Sequence, residues 1–151
     1  MAGRFKQEQA ALYNFTETEA QKIMTALRKN GIVCQTWPQE AWGQRVGYLF
    51  GMGGFHRLPE SEDAPFPLDF PEGVLLLHHV QRKALDKALD RLREAGVPPI
   101  RFKAVTTPYN VHWTLAHLVE TMRKEHAYMM EREAKEAEKQ AGASEAEAQS
   151  T

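Results

Sequence analysis

Slid by 65 positions, the chain meets itself. Leu12 meets Leu77, Lys22 meets Lys87, Leu27 meets Leu92, Arg28 meets Arg93 and Gly31 meets Gly96. Apolar pairs fill the intervals: Ala11 with Leu76, Phe15 with Val80, Ala20 with Leu85, Ile23 with Ala88, Met24 with Leu89, Ile32 with Val97. The register then shifts by five and Pro38 meets Pro108. Few of these pairs are identities, but apolar and turn signals recur in one order. Self-similarity of this kind constrains a fold more than any local motif, because both copies must adopt one supersecondary unit.

Each copy reads strand, helix, strand, helix. In the first, Ala10 to Phe15 is the strand. Thr16 caps a helix, and Glu19 three residues on completes a capping box. Ala20, Ile23, Met24 and Leu27 form its buried stripe. Asn30-Gly31 ends it, glycine being the residue that accepts the left-handed conformation there. Ile32 to Thr36 is the second strand. Pro38 opens a second helix toward Phe50, at the position where its missing N–H costs nothing. In the second copy, Val74 to Leu77 is wholly apolar, as a central strand covered on both faces should be. Leu85, Ala88, Leu89 and Leu92 form a helical stripe that Gly96 ends. Ile100 to Val105 is the strand, Thr107 caps, Pro108 starts, and Val111, Leu115, Leu118 and Met122 form the last stripe. In "IRFKAV", Arg101 and Lys103 share one face, so this strand belongs at an edge or has one face open.

The fold class expected is therefore α/β: two pseudo-repeated βαβα units forming one small, mostly parallel sheet of about four strands with flanking helices. Strand, helix, parallel strand brings strand C-termini to one edge of each unit, where open α/β sheets bind ligands. Residues 1–128 form the single domain, with a first unit at 9–50, a connector at 51–73 and a second unit at 74–128. The connector is too rich in glycine and proline for regular structure. Its Phe55, Leu58, Phe66, Leu68 and Phe70 should hold it down on the body. Residues 129–151 form a tail. "EREAKEAEKQ" favours a solvated helix with pairs such as Glu131–Lys135, and "AGASEAEAQST" should be disordered.

Composition removes several classes of function. The chain has 151 residues, 42% of them hydrophobic and 26% charged, the profile of one soluble domain with a real core. No apolar run reaches the roughly 20 residues that cross a bilayer, and the start lacks an apolar signal segment. We expect a cytoplasmic protein without a membrane partner. Residues 131–151 hold six acids and three bases, so they carry −3 and the rest of the net −1 chain carries +2. That is too mild for a nucleic-acid partner. A lone Cys34 in a strand reads as a small apolar residue, not a redox centre.

The stretch Lys103 to His126, "KAVTTPYNVHWTLAHLVETMRKEH", resembles the end of a bacterial or archaeal family of uncharacterised proteins, a domain of unknown function. Its members tend to carry K-A-V-x-T-P-x-N-x-x-W and a late Glu-His. The matching residues are Lys103, Ala104, Val105, Thr107, Pro108, Asn110, Trp113, Glu125 and His126. The first unit, with "LYNF" and "LFGMGGF", looks like the longer members. The resemblance covers roughly residues 10 to 128. It implies an α/β fold and a cytosolic setting, and no activity.

Candidate site residues follow from position. Thr107 and Pro108 read first as a helix cap, with Asn110 bonding locally. The alternative is an anion site in which the helix N-terminus cooperates with Lys103 and the hydroxyls of Thr106 and Thr107. No G-x-x-x-x-G-K-[ST] accompanies it, and "GMGGFHR" follows a helix where a phosphate loop follows a strand. His78 and His79 are adjacent on a strand and point to opposite faces, while His112 and His117 stand about 140° apart on a helix. No metal-ligand spacing is present, and nothing calls for a cofactor. Ser61, Ser144 and Ser150 lie in loop or tail, without the context of a nucleophile. The reading is a binding or interaction module without evident catalytic machinery, its partner an unknown protein or small molecule. The alternative is a phosphate-ligand binder, or an enzyme, using Asn14, His78, His79, Lys103, Thr107 and Asn110 at the strand C-terminal edge.

Overall fold

The structure is a computed structural model and describes residues 7–59 and 72–149. The chain divides into two compact units, residues 1–119 and 120–151. The first holds a four-stranded sheet with strands β1 (Gln9–Tyr13), β2 (Val33–Trp37), β3 (Val74–His78) and β4 (Phe102–Val105). Helix α1 (Glu17–Arg28) joins β1 to β2, and α3 (Arg82–Glu94) joins β3 to β4. The short α2 (Val46–Leu49) follows β2, and α4 (Leu115–Gln149) follows β4.

The sheet order is β2-β1-β3-β4. β1 runs parallel to β2 and β3 parallel to β4, but β1 and β3 meet antiparallel. Their register pairs Gln9 with His78 and Tyr13 with Val74, centred on Ala11 and Leu76. The strand C-termini of the two halves therefore lie at opposite ends of the sheet.

Alternation along the central strands sorts the core into two faces. Ala10, Leu12, Leu75 and Leu77 pack against Ile23, Met24 and Leu27 of α1 and Ala88 and Leu92 of α3. Each wholly buried Leu or Ile here contributes about 1.5–3 kcal/mol relative to exposure. On the other face Tyr13 stacks on Trp42 at 6.1 Å, Trp37 meets Phe50 edge-on at 4.8 Å, and Phe50 stacks on His78 at 4.5 Å. All five residues of β3 are buried, as its apolar run predicts. β4 is an edge strand, in keeping with Lys103 on its exposed side.

The local signals of α1 act as read. Thr16 accepts from the Glu19 N–H, and the Glu19 side chain accepts from the Thr16 N–H, closing the capping box. Gly31 and Gly96 follow their helices at φ +77° and +78°. Connector residues 51–59 carry no helix or strand and lie on the body. The Phe55 ring covers Gly47, where a Cβ would meet it at 2.6 Å, and Gln44 exchanges two hydrogen bonds with the Leu58 backbone. Phe66, Leu68 and Phe70 lie outside the described residues.

Three expectations are corrected. The helix read from Pro38 to Phe50 is a 3₁₀ turn at Gln39–Gly43, then one extended stretch, then α2. The helix read from Pro108 likewise begins as a 3₁₀ turn at Asn110–His112, and α4 starts at Leu115. The cause is tertiary. Arg45 and Thr114 form an antiparallel bridge, with the Val46 N–H donating to the Trp113 carbonyl and the Leu115 N–H to that of Gln44, both at 2.9 Å. That bridge holds both segments extended for a residue or two where a continuous helix would run. Third, the segment after Ala141 is not disordered up to Gln149, because α4 continues through it. Its alanine and glutamate content favours helix. In the second unit Lys135–Glu131 pair at 3.3 Å and Arg132–Glu136 at 3.8 Å along an exposed helix surface. No helix among the described residues is long and apolar enough to cross a membrane.

Candidate ligand-binding site

The chain leaves β3 at His78 and must reach Gln81, the N-cap of α3, within two residues. It does so by placing His79 at φ +60°. The corresponding turn after β1 places Asn14 at φ +65° before the N-cap Thr16. These are the two positive-φ residues other than glycine among those described, and they stand 65 apart. A non-glycine residue there costs roughly 1–2 kcal/mol, least for residues such as Asn and His.

His78 anchors the turn from within the sheet. It is 2% exposed, and its Nδ1 lies 2.8 Å from the Thr106 hydroxyl. The Thr106 N–H donates to the Leu77 carbonyl at 2.9 Å, extending the β3–β4 ladder past its last pair. The His79 ring lies 3.7 Å from that of His78.

Outside this turn opens a cleft of about 980 Å³. It is lined by His79, Gln81 and Thr106, by Lys83 and Lys87 of α3, and by Glu8, Lys29 and Asn30. Lys83 and Lys87 are four apart, so they stand one above the other on one helix face. Among the described residues, none of the three lysines forms an ion pair. Two buried polar atoms also lack a hydrogen-bond partner, Glu8 Oε2 and Asn30 Nδ2. Three cations against one carboxylate make the cleft electropositive. Gln81 supplies no side-chain bond to α3. Gln81 and Ala84 stand 65 residues after Thr16 and Glu19, so the second helix lacks the capping box that fills the first.

The sequence-derived candidates divide between the sheet ends. His79 lines the cleft, with His78 directly behind it. Asn14 lies at the opposite end of the sheet, roughly 20 Å away by strand rise, with its Nδ2 donating to the Glu72 carbonyl at 3.1 Å. It lines a second cleft of about 600 Å³ with Phe15, Lys22, Pro98, Pro99 and Arg101, where Arg101 is paired to Glu72 at 2.8 Å. Lys103 bonds the Ile100 carbonyl at 3.0 Å and lines neither cleft.

Thr107 and Asn110 bond each other. The Thr107 N–H donates to Asn110 Oδ1 at 2.7 Å, and the Tyr109 and Asn110 N–H groups donate to the Thr107 hydroxyl. Asn110 Nδ2 donates to the Val105 carbonyl at 3.1 Å. The turn is closed on itself. The N–H groups at the true start of α4 are also engaged, Leu115 by Gln44 and His117 by the Thr114 hydroxyl. The helix start offers an anion no vacant donors at these positions, in keeping with the cap reading of Thr107.

Other reactive groups are packed. The His112 ring lies against Phe55 at 5.1 Å and His117 against Trp113 at 4.6 Å. Burial pushes the Cys34 thiol above its ordinary 9.0, with Arg28 opposing, and a thiol held protonated is a poor nucleophile. No group of three potential metal ligands occurs among the described residues.

Reading the sequence alone missed Glu8, Lys29, Asn30, Lys83 and Lys87, and offered Thr106 only as a hydroxyl beside Thr107. One available signal was the 65-residue slide, which pairs Asn14, a residue tolerant of positive φ, with His79.

Comparison with family models finds a domain of unknown function, DUF3783, at residues 73–129. The matched segment runs from the residue before β3 into α4, and includes His79, Lys83, Lys87 and Thr106. No curated protein and no solved structure matches the chain.

Proposed function

We propose that the protein is a cytoplasmic binding module whose site is the cleft at the His79 turn, and whose ligand is a small anion that also carries a hydrogen-bond donor. The observation that supports this most is the convergence of Lys29, Lys83 and Lys87 on one cleft without ion-pair partners among the described residues. Its volume of about 980 Å³ is in the range that holds metabolite-sized ligands. It lies at the C-terminal end of the parallel pair β3–β4, where open α/β sheets bind ligands. Glu8 brings the one carboxylate of the cleft lining, so that side of the cleft suits a hydroxyl or amino donor. A phosphorylated polyol or sugar combines both features. We read the two halves of the domain as copies of one unit, in which the second copy has given up its helix cap for this cleft.

Of the two histidines at the turn, His79 lines the cleft, and His78 is enclosed behind it with its Nδ1 facing Thr106.

The test is a thermal-shift series at fixed ionic strength, with inorganic phosphate, sugar phosphates and uncharged sugars. A ligand at 100 times its Kd adds about 2.7 kcal/mol to the native state, a rise of several degrees for a chain of this size. Phosphorylated ligands should raise the midpoint of the wild type, and Lys83→Ala/Lys87→Ala should abolish the rise. Lys22→Ala, at the position of the other cleft that matches Lys87, should leave it intact. A wild-type midpoint indifferent to every phosphorylated probe would refute the reading.

A further inference from the structure

The two edges of the sheet differ in kind. β4 is four residues long and carries Lys103 on its exposed side. β2, Val33–Trp37, has five residues, "VCQTW", with no charge, no proline and no glycine. Charged side chains and prolines are the usual means of keeping an edge from pairing with another chain, and β2 has neither. Its first residue, Val33, is apolar and 52% exposed at the open rim of the sheet.

The register settles which backbone groups are open. The Val33 N–H donates to the Glu8 carbonyl, so Val33, Gln35 and Trp37 direct their backbone groups toward β1. Cys34 and Thr36 then direct theirs away from the sheet. Two outward residues spaced two apart are their own complement under a twofold rotation. Centred on Gln35, an antiparallel pair of β2 strands sets Cys34 opposite Thr36 of the other copy twice over. That makes four N–H to carbonyl bonds. Val33 then covers Trp37 of the other copy at each end, apolar on apolar. No like charges face each other across the pairing. The same operation on β4, centred on Ala104, would set Lys103 opposite Val105 of the other copy and leave the two lysines as diagonal neighbours on one face.

We infer that β2 is the interface for a second copy of this chain, joining two four-stranded sheets into one continuous eight-stranded sheet. Glu8, which lines the cleft, accepts from the Val33 N–H at the start of β2, but the inference does not rest on a ligand there.

Sedimentation velocity of the full chain over roughly 1–200 μM, the range of an ordinary weak dimer, should show a species of twice the 17.2 kDa chain mass growing with concentration. Thr36→Pro removes an outward N–H and leaves the β1 ladder intact, since proline is tolerated at an edge with its nitrogen facing out. It deletes two of the four bonds, and dimerisation should weaken roughly tenfold or more. If that variant fails to fold, Cys34→Ser/Gln35→Cys carries the test. The two introduced cysteines would face each other in a non-hydrogen-bonded pair about 4.5 Å apart at Cα, within disulfide reach. Mild oxidation should yield a covalent dimer that reductant reverses. A wild type monomeric throughout, Thr36→Pro dimerising undiminished, or a dimer that the introduced cysteines do not cross-link would each overturn the inference.

Discussion

Asn110 ties the β4–α4 connection to β4 through both ends of its amide, and its replacement has a calculable cost. It is 8% exposed, with both ends of its amide engaged. Oδ1 accepts from the Thr107 N–H at 2.7 Å and Nδ2 donates to the Val105 carbonyl at 3.1 Å. Each bond contributes about 0.5–1.5 kcal/mol net, and a backbone group left dry costs about 1–3 kcal/mol. Thr107 is exposed and Val105 half-buried, so water can replace part of the loss. Asn110→Ala should therefore cost about 2–3 kcal/mol. For a chain of this length that lowers Tm by about 2–4 °C per kcal/mol. Asn110→Asp keeps the acceptor for Thr107 but turns a carboxylate oxygen toward the Val105 carbonyl. It should be at least as costly at neutral pH and recover in acid, once the carboxyl can donate. Thr107→Ala removes the acceptor for two N–H groups and should cost about 0.5–2 kcal/mol, Thr107→Ser little. The double variant Thr107→Ala/Asn110→Ala should cost less than the sum, because each residue caps the other. Denaturant titration at fixed m-value reads all five proteins. A loss below about 0.5 kcal/mol for Asn110→Ala would refute the closed-turn account, since no reading with two direct bonds to a buried amide gives so little.

Two further outcomes follow from backbone and burial. At Asn14 and at His79 the glycine variant should be more stable than the alanine variant by about 1 kcal/mol, because φ is +65° and +60° there; equal melting of the two at either site would mean that the turn is not held left-handed in solution. Burial raises the Cys34 thiol above its ordinary 9.0 and, with the Glu40 carboxylate adding to it, the Tyr13 hydroxyl above its ordinary 10.0. A raised folded-state pKa means that the unfolded chain loses its proton first, so stability is full below pH 9 and falls as pH rises beyond it. Cys34→Ala should flatten the first part of that fall in urea titrations between pH 8 and about 10, and an unchanged slope would show that the thiol is not desolvated.

Much of this architecture is written in local residue patterns, and the part that is not has one cause. The Thr16–Glu19 box, the glycines after α1 and α3, the apolar run of β3 and the exposed side of β4 are properties of a few adjacent residues, so periodicity and cap chemistry reveal them. The antiparallel meeting of β1 and β3 is not local. It depends on Ala11 facing Leu76 across the middle of the sheet, and no neighbour in the chain announces that. Because of it, Asn14 and His79 occupy matching turns yet stand at opposite ends, and a site assembled from both is impossible. The bridge between Arg45 and Thr114 is of the same kind, which is why Pro38 and Pro108 look like helix starts and are followed by 3₁₀ turns. The lysines of the cleft were hidden for a different reason, since lysine on a helix is ordinarily a solvated face. What sets Lys83 and Lys87 apart is the contrast between the two helix starts. At α1, Thr16 and Glu19 occupy the cap with their own side chains. At α3 the matching positions hold Gln81 and Ala84, which supply no such bonds, and Lys83 stands where the first helix has Thr18. One end of the sheet satisfies itself and the other is left cationic and open, and it is on that asymmetry that the proposed ligand site at the His79 turn, and not at its counterpart, rests.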